Sequence, residues 1–430
     1  MPRKLNKNLV GALTLGGMVV LAAIGIIMLW KLSSQDPARY EQEAKKLADA
    51  GDYDRAWQTY YRAFQKGGQN NIEDLVKAAH CAIEDGKLPQ ALGMLDKALV
   101  RESQLPSALN ESTRLNFELG NLYPGDLAMW RRVLESAQKL VKVDDSSVLG
   151  HHALGMAYLK LQDNDTTYEA LGRQHLSRAL ELDPANADIA QDMVEQLWDA
   201  AARKQKGGPE TAEVKALRET AESTLKSAIE KCEGQGPPEA ISKLKELQCR
   251  LLIIEDKTEE GLDQLKRLAA GEQKKATAHL LLAQALAGGL TPNTKPDYAK
   301  AAETAEEGLK LDPRDMKLYF MLAEAYRQKH KEEELTEADW QELEQVYQRG
   351  LDAVPFRNHF RAGADNNFRI EFMTQLFMLD LQRAAQAKDD AAERTKALDS
   401  AERWITKLKG EVDEQSLVVR FLRAELFKAK

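Results

Sequence analysis

Cysteine is scarce: three residues in 430, Cys81, Cys232 and Cys249. Their number and scatter exclude a disulfide framework and a CxxC-type metal site. Cys81 and Cys249 fall inside apolar helical patterns and are expected to be buried, inert thiols; Cys232 and Cys249 can pair only if neighbouring helices bring them together. Aromatic residues make up only 6% of the chain, whereas Ala, Leu, Glu and Lys abound, a composition that favours helices. The 13 prolines sit mostly between apolar periodic segments. There is no basic arm, and a net charge of −8 is spread thinly along alternating acids and bases, which excludes nucleic acid as the expected partner. Seven histidines, at positions 80, 151, 152, 175, 279, 330 and 359, form neither HExxH nor an i, i+4 pair. GxxxxGK[ST], GxGxxG and GxSxG are all missing. These gaps predict no catalytic residue, no metal site and no cofactor.

Long uncharged runs are missing too, with one exception. Leu9 to Trp30, "LVGALTLGGMVVLAAIGIIMLW", has 22 residues and no charge. At about 1.5 Å per residue such a helix reaches about 33 Å, enough for a bilayer core of about 30 Å. The run is too long for a signal-peptide core, and no small-x-small cleavage site follows it, so an uncleaved transmembrane anchor is expected, with cleavage as the alternative. Arg3, Lys4 and Lys7 precede it, while Asp36, Glu41 and Glu43 follow, which predicts residues 1–8 in the cytoplasm and the body outside it, facing the periplasm in a bacterium. Ala12 and Gly16 form a small-xxx-small pair, and self-association is left open.

The rest of the chain keeps a beat. Gly51, Ala56, Tyr60 and Ala63 recur as Gly86, Ala91, Leu95 and Ala98, each 35 residues on, a spacing that holds two helices and a turn. Leu154, Gly155 and Tyr158 are echoed by Leu322, Ala323 and Tyr326. The phrase Leu-x-Leu-Asp-Pro occurs at Leu180 to Pro184 and again at Leu309 to Pro313, where one helical hairpin is expected to end and the next to begin. Weaker copies fill the interval, including Ala221/Leu225/Ala228 and Leu282/Ala283/Leu286 with Ala301/Ala305/Gly308.

These residues resemble the tetratricopeptide repeat. The resemblance implies an all-α fold: a right-handed superhelical α-solenoid of about nine helical hairpins, preceded here by one transmembrane helix. The expected organisation is an anchor at 9–30, repeat hairpins at 37–104, a degenerate hairpin at 105–147, central hairpins at 148–356, and C-terminal helices with a capping helix at 357–430. It also implies that the first helix of each hairpin lines a concave groove. In that register His152, Met156 and Leu159 face the groove in one repeat, and Phe320, Glu324 and Arg327 in another. The clamp by which some tetratricopeptide proteins hold acidic chaperone tails is not matched, since Glu41, Lys45, Val76 and His80 stand at its positions.

The segment Pro355 to Phe372, "PFRNHFRAGADNNFRIEF", does not fit the repeat. Arg357, Arg361 and Arg369 alternate there with phenylalanines, a pattern suited to a carboxylate or phosphate, or else to docking a loop. The function expected from all this is a membrane-anchored, non-catalytic scaffold for protein partners in envelope assembly, secretion or export. The alternatives are an organelle receptor with cytosolic repeats and an enzyme with a site in the degenerate repeats.

Overall fold

The computed structural model describes residues 36–430 apart from 165–166, 206–209, 256, 272–274, 291–294, 330–334, 355–362, 388–389 and 413. The expected anchor, Leu9 to Trp30, lies outside the described residues; among those described, no helix is long and apolar enough to cross a membrane. The described chain folds as a succession of α-helices without a strand, an all-α helical-repeat solenoid that divides into two compact units after Leu161, within the stretch expected to hold the central hairpins.

The first unit contains α1 (Pro37–Asp49), α2 (Tyr53–Lys66), α3 (Ile72–Glu84), α4 (Leu88–Arg101), α5 (Pro106–Leu122), α6 (Leu127–Val143) and α7 (Val148–Lys160). Each helix packs on the next. The repeated glycines explain themselves: Gly51 and Gly86 follow α1 and α3 with the same φ of 77°, a left-handed conformation that ends the first helix of a hairpin and starts the turn to the second. Asp52 then caps α2 by accepting from the Arg55 amide. The degenerate 105–147 stretch is a full hairpin, α5 on α6, with Trp130 completely buried, edge-on to Phe117 and donating its indole N–H to the Pro124 carbonyl at 3.1 Å.

The second unit opens with a short 3₁₀ turn and then holds α8 (Tyr168–Leu182), α9 (Ala187–Gln205), α10 (Ala212–Gln235), α11 (Pro238–Ile254), α12 (Thr258–Ala270), α13 (Ala276–Leu286), α14 (Tyr298–Leu311), α15 (Met316–Lys329), α16 (Glu337–Ala353), α17 (Gly363–Gln386), α18 (Ala391–Leu408) and α19 (Leu417–Ala429). The Leu-x-Leu-Asp-Pro phrase is the joint between hairpins. In its second copy α14 stops at Leu311, the Asp312 carboxylate accepts from the Arg314 amide at 2.9 Å, and Asp315 caps α15 by accepting from Lys317 and Leu318. In the first copy Asn186 does the same for α9 through the Ile189 amide.

Small residues on the second helices let the packing close. A Cβ placed on Gly308 would lie 2.8 Å from a Leu318 methyl and 2.9 Å from the His279 Cβ, and one on Gly350 would lie 2.6 Å from the Phe372 ring. The residues from Gly363 onward, read from sequence as breaking the repeat, begin the 24-residue helix α17, which carries Phe372, Met373, Leu376 and Phe377 into the core with exposures of 2% or less.

Candidate functional site

Polar bonds join alternate helices. In the first unit Lys77 of α3 pairs with Glu41 of α1. Ser107 of α5 donates to Glu73 of α3 at 2.8 Å, His80 meets Glu111 at 3.2 Å, and Arg114 reaches Glu84 at 3.4 Å. A cleft of about 430 Å³ lies over these residues, floored by Val76, Cys81 and Tyr60. Its charged groups are already spent on one another. Burial pushes the Cys81 thiol up to about 11, so it is neither a nucleophile nor a metal ligand at neutral pH.

In the second unit Lys243 of α11 pairs with Asp188 of α9, Arg250 reaches Glu195 of α9 at 3.5 Å, and Thr277 of α13 donates to Glu246 of α11 at 3.0 Å. Further along, Arg327 of α15 donates to Gln375 of α17 at 3.1 Å. Between α13 and α15, among the described residues, no such bond forms.

That gap coincides with a concavity of the unit. A cleft of about 540 Å³ is lined by α9, α11, α13 and α15, and a second of about 570 Å³ shares Gln284 with it and continues over Met321, Glu324 and Gln328. Leu247, Leu280, Leu281 and Met321 supply an apolar floor. Lys275 and Lys317 stand at the same end of their helices, and neither ammonium has an ion-pair partner among the described residues. Glu246, half-buried in the floor, has its carboxyl pushed above the usual range by desolvation, against the hydroxyls of Thr277 and Ser242 and the nearby lysines. Beside the acids Glu239 and Glu246, the cleft offers two lysines without ion pairs, amide groups and apolar surface, groups able to hold a segment with polar and apolar side chains.

Several residues expected to face a groove are buried or packed against neighbouring side chains. Helix α7 is apolar on nearly every side, so its neighbours close over it, and Met156 and Leu159 are only 5% and 3% exposed. Half-buried His152 sits edge-on to the Phe117 ring at 4.9 Å. Half-buried Phe320 packs against α17, stacked on Phe372 and flanked by Phe368, and Arg327 lies over the Tyr347 ring while bonding Gln375. Glu324 alone of the six lines a cleft as an exposed side chain.

Arg369 is no ligand-binding residue either. It is 7% exposed, paired with Glu411, and donates to the Leu351 and Val354 carbonyls at the end of α16, because α17 buries it there. Arg357 and Arg361 lie outside the described residues. Lys275, Lys317, Gln284, Leu280 and Leu281 went unnoticed in the sequence; counting the helical register outward from Leu282, Ala283 and Leu286 is the signal that would have found those on α13.

No cluster of three His, Cys, Asp or Glu side chains suited to a metal occurs among the described residues. No protein-family model matches the chain, and no curated protein matches it by sequence. Its fold is similar to that of solved tetratricopeptide and related helical-repeat structures. A tetratricopeptide repeat protein from Parabacteroides merdae is 14% identical with a TM-score of 0.46, over 67% of this chain and 98% of that one. The MamA protein is 20% identical with a TM-score of 0.35, over 46% and 92%. A human IFIT1 dimer with m7Gppp-AAAA is 13% identical with a TM-score of 0.38, over 91% and 87%.

Proposed function

We propose that this protein is a non-catalytic scaffold that holds a segment of a protein partner in the groove of α9, α11, α13 and α15, tethered to a membrane by Leu9 to Trp30. The observation that carries the reading is the gap between α13 and α15. There Lys275, Lys317 and Gln284 surround the apolar floor of Leu247, Leu280, Leu281 and Met321 without the interhelical polar bonds found elsewhere. Groups left free beside exposed apolar surface gain most when a partner covers them, because burial then brings new hydrogen bonds as well as desolvation. The free lysines favour a partner segment with carboxylates among its apolar residues.

The uncharged length of Leu9 to Trp30 and the cations before it support a tether with the repeats outside the cytoplasm, and a role in envelope assembly, secretion or export follows from that placement. A photo-crosslinking residue at Leu281, compared with one at Lys396 on α18, tests the groove in native membranes. A discrete adduct at Leu281 that is lost with Lys275→Glu and Lys317→Glu supports the groove; equal adducts at both positions overturn it. Reporter fusions at residue 5 and after Lys430 test the topology separately.

A further inference from the structure

The last described helix has two apolar faces. Helix α19 turns Val419, Leu422 and Leu426 into the core of the second unit, with exposures of 0%, 0% and 6%. On its other side Leu417, Phe421 and Phe427 are 82%, 51% and 82% exposed. Single exposed apolar side chains are ordinary. Here, however, three of the eight large exposed apolar residues among the described positions fall on one 13-residue helix, and they include both of the phenylalanines.

Cations accompany them. At about 100° per residue, Arg420, Ala424 and Lys428 share the outer face with Leu417, Phe421 and Phe427, while Arg423 and Lys430 stand beside it. Arg420 is exposed and has no ion-pair partner among the described residues. Arg423 and Lys430 hold the exposed acids Glu414 and Glu402, and Lys428, itself 70% exposed, holds half-buried Glu425. Exposed pairs of that kind exchange readily for a stronger anion.

We infer that the outer face of α19 docks on an anionic lipid surface. Leu417, Phe421 and Phe427 enter the boundary between headgroups and acyl chains, and Arg420, Arg423, Lys428 and Lys430 meet the lipid phosphates. A second copy of the chain fits this face less well. The three side chains expose on the order of 400 Å², against about 800 Å² per partner in a stable protein interface. Two copies of α19 facing each other about a two-fold axis would also bring the cations Arg420 and Lys428 of one copy against those of the other. The docking is independent of the groove, since no residue of α19 lines it.

The test uses the full chain with Ala424→Cys, which sits within the exposed face and leaves all three apolar side chains in place. The native thiols are buried, at 2%, 0% and 1% exposure for Cys81, Cys232 and Cys249, so a polarity-sensitive dye reaches position 424 selectively. Lys396→Cys on α18, where the native side chain is 77% exposed, gives the control. Both labelled chains are reconstituted into vesicles of phosphatidylcholine alone or with one part in four phosphatidylglycerol, each doped with a spin-labelled quencher lipid.

The expected result is a blue shift and lipid quenching at 424 and not at 396, dependent on phosphatidylglycerol and weakened about fivefold for each cation removed by Arg420→Gln or Lys428→Gln. A dye at 424 that stays as wet as the one at 396 overturns the inference. So does quenching that is equal on neutral vesicles, or a blue shift without lipid that grows with protein concentration, which would assign the face to a second copy.

Discussion

The rings of Phe320 and Phe372 stack with centroids 4.3 Å apart and planes 4° from parallel, although the two residues are 52 positions apart in sequence. Phe372 also meets Tyr319 edge-on at 6.3 Å and presses on Gly350 from the opposite helix. One side chain thereby joins α15, α16 and α17, and it closes a helix face that the repeat register alone assigns to a partner.

Gly350→Ala tests this packing against helix propensity. Alanine improves an internal helical position by about 1 kcal/mol, but its methyl would lie 2.6 Å from a ring that is fully buried and held by Phe320. Overpacking costs about 1–3 kcal/mol, so the sterics prevail and the variant unfolds at lower denaturant. Phe372→Leu on the same background recovers part of the loss. A Gly350→Ala protein as stable as the parent in urea melts removes the argument.

Arg369 is expected to matter for stability rather than binding. Leaving Glu411 without its buried partner and the Leu351 and Val354 carbonyls without their donor costs about 3–5 kcal/mol in Arg369→Ala. Arg369→Lys rescues little, because one ammonium cannot serve a carboxylate and two carbonyls in this forked geometry. Arg369→Met with Glu411→Leu is expected to lose less than Arg369→Ala alone, measured by thermal melts of all three.

Asp74 links stability to pH. It is 2% exposed, one carboxylate oxygen has no hydrogen-bond partner, and desolvation, with Glu41 adding to it, holds its proton affinity above the usual value. Between the unfolded and the raised native pKa, the native state binds more protons. Its contribution to stability is therefore present below the ordinary carboxylate range and lost as pH rises through the raised native pKa. Asp74→Asn should gain about 1 kcal/mol at neutral pH and nothing at the acid end. A gain that does not shrink on acidification contradicts this account.

Gly86→Ala forces an alanine into φ 77° and is expected to cost about 1–2 kcal/mol, whereas Gly86→Asn costs less because asparagine visits the left-handed region. No atom lies in the way to confuse the comparison at the equivalent Gly51. Equal stabilities for the alanine and asparagine variants would remove the backbone argument.

Signals carried within a turn or two of chain were legible: the glycines that end α1 and α3, the aspartates that cap and join hairpins, and the small residues marking close helix contacts. The architecture followed from them, since caps, turns and helical periodicity depend on neighbours three to five residues away. The segment around Arg369 was not legible in this way. Its arginines and phenylalanines look alike in sequence, and only α17, packed beneath α16, separates the buried Arg369 from a ligand-binding arginine.

The sequence by itself determined that the described chain is a run of helical hairpins, because each hairpin is specified by local capping chemistry and a periodic apolar stripe. Only the tertiary structure decided which groove-side residues stay free. Whether Lys275 and Lys317 lack partners while Phe320 and Arg327 have them depends on groups tens of residues distant. Burial and pairing are properties of the packed helices together, and no single helix encodes them.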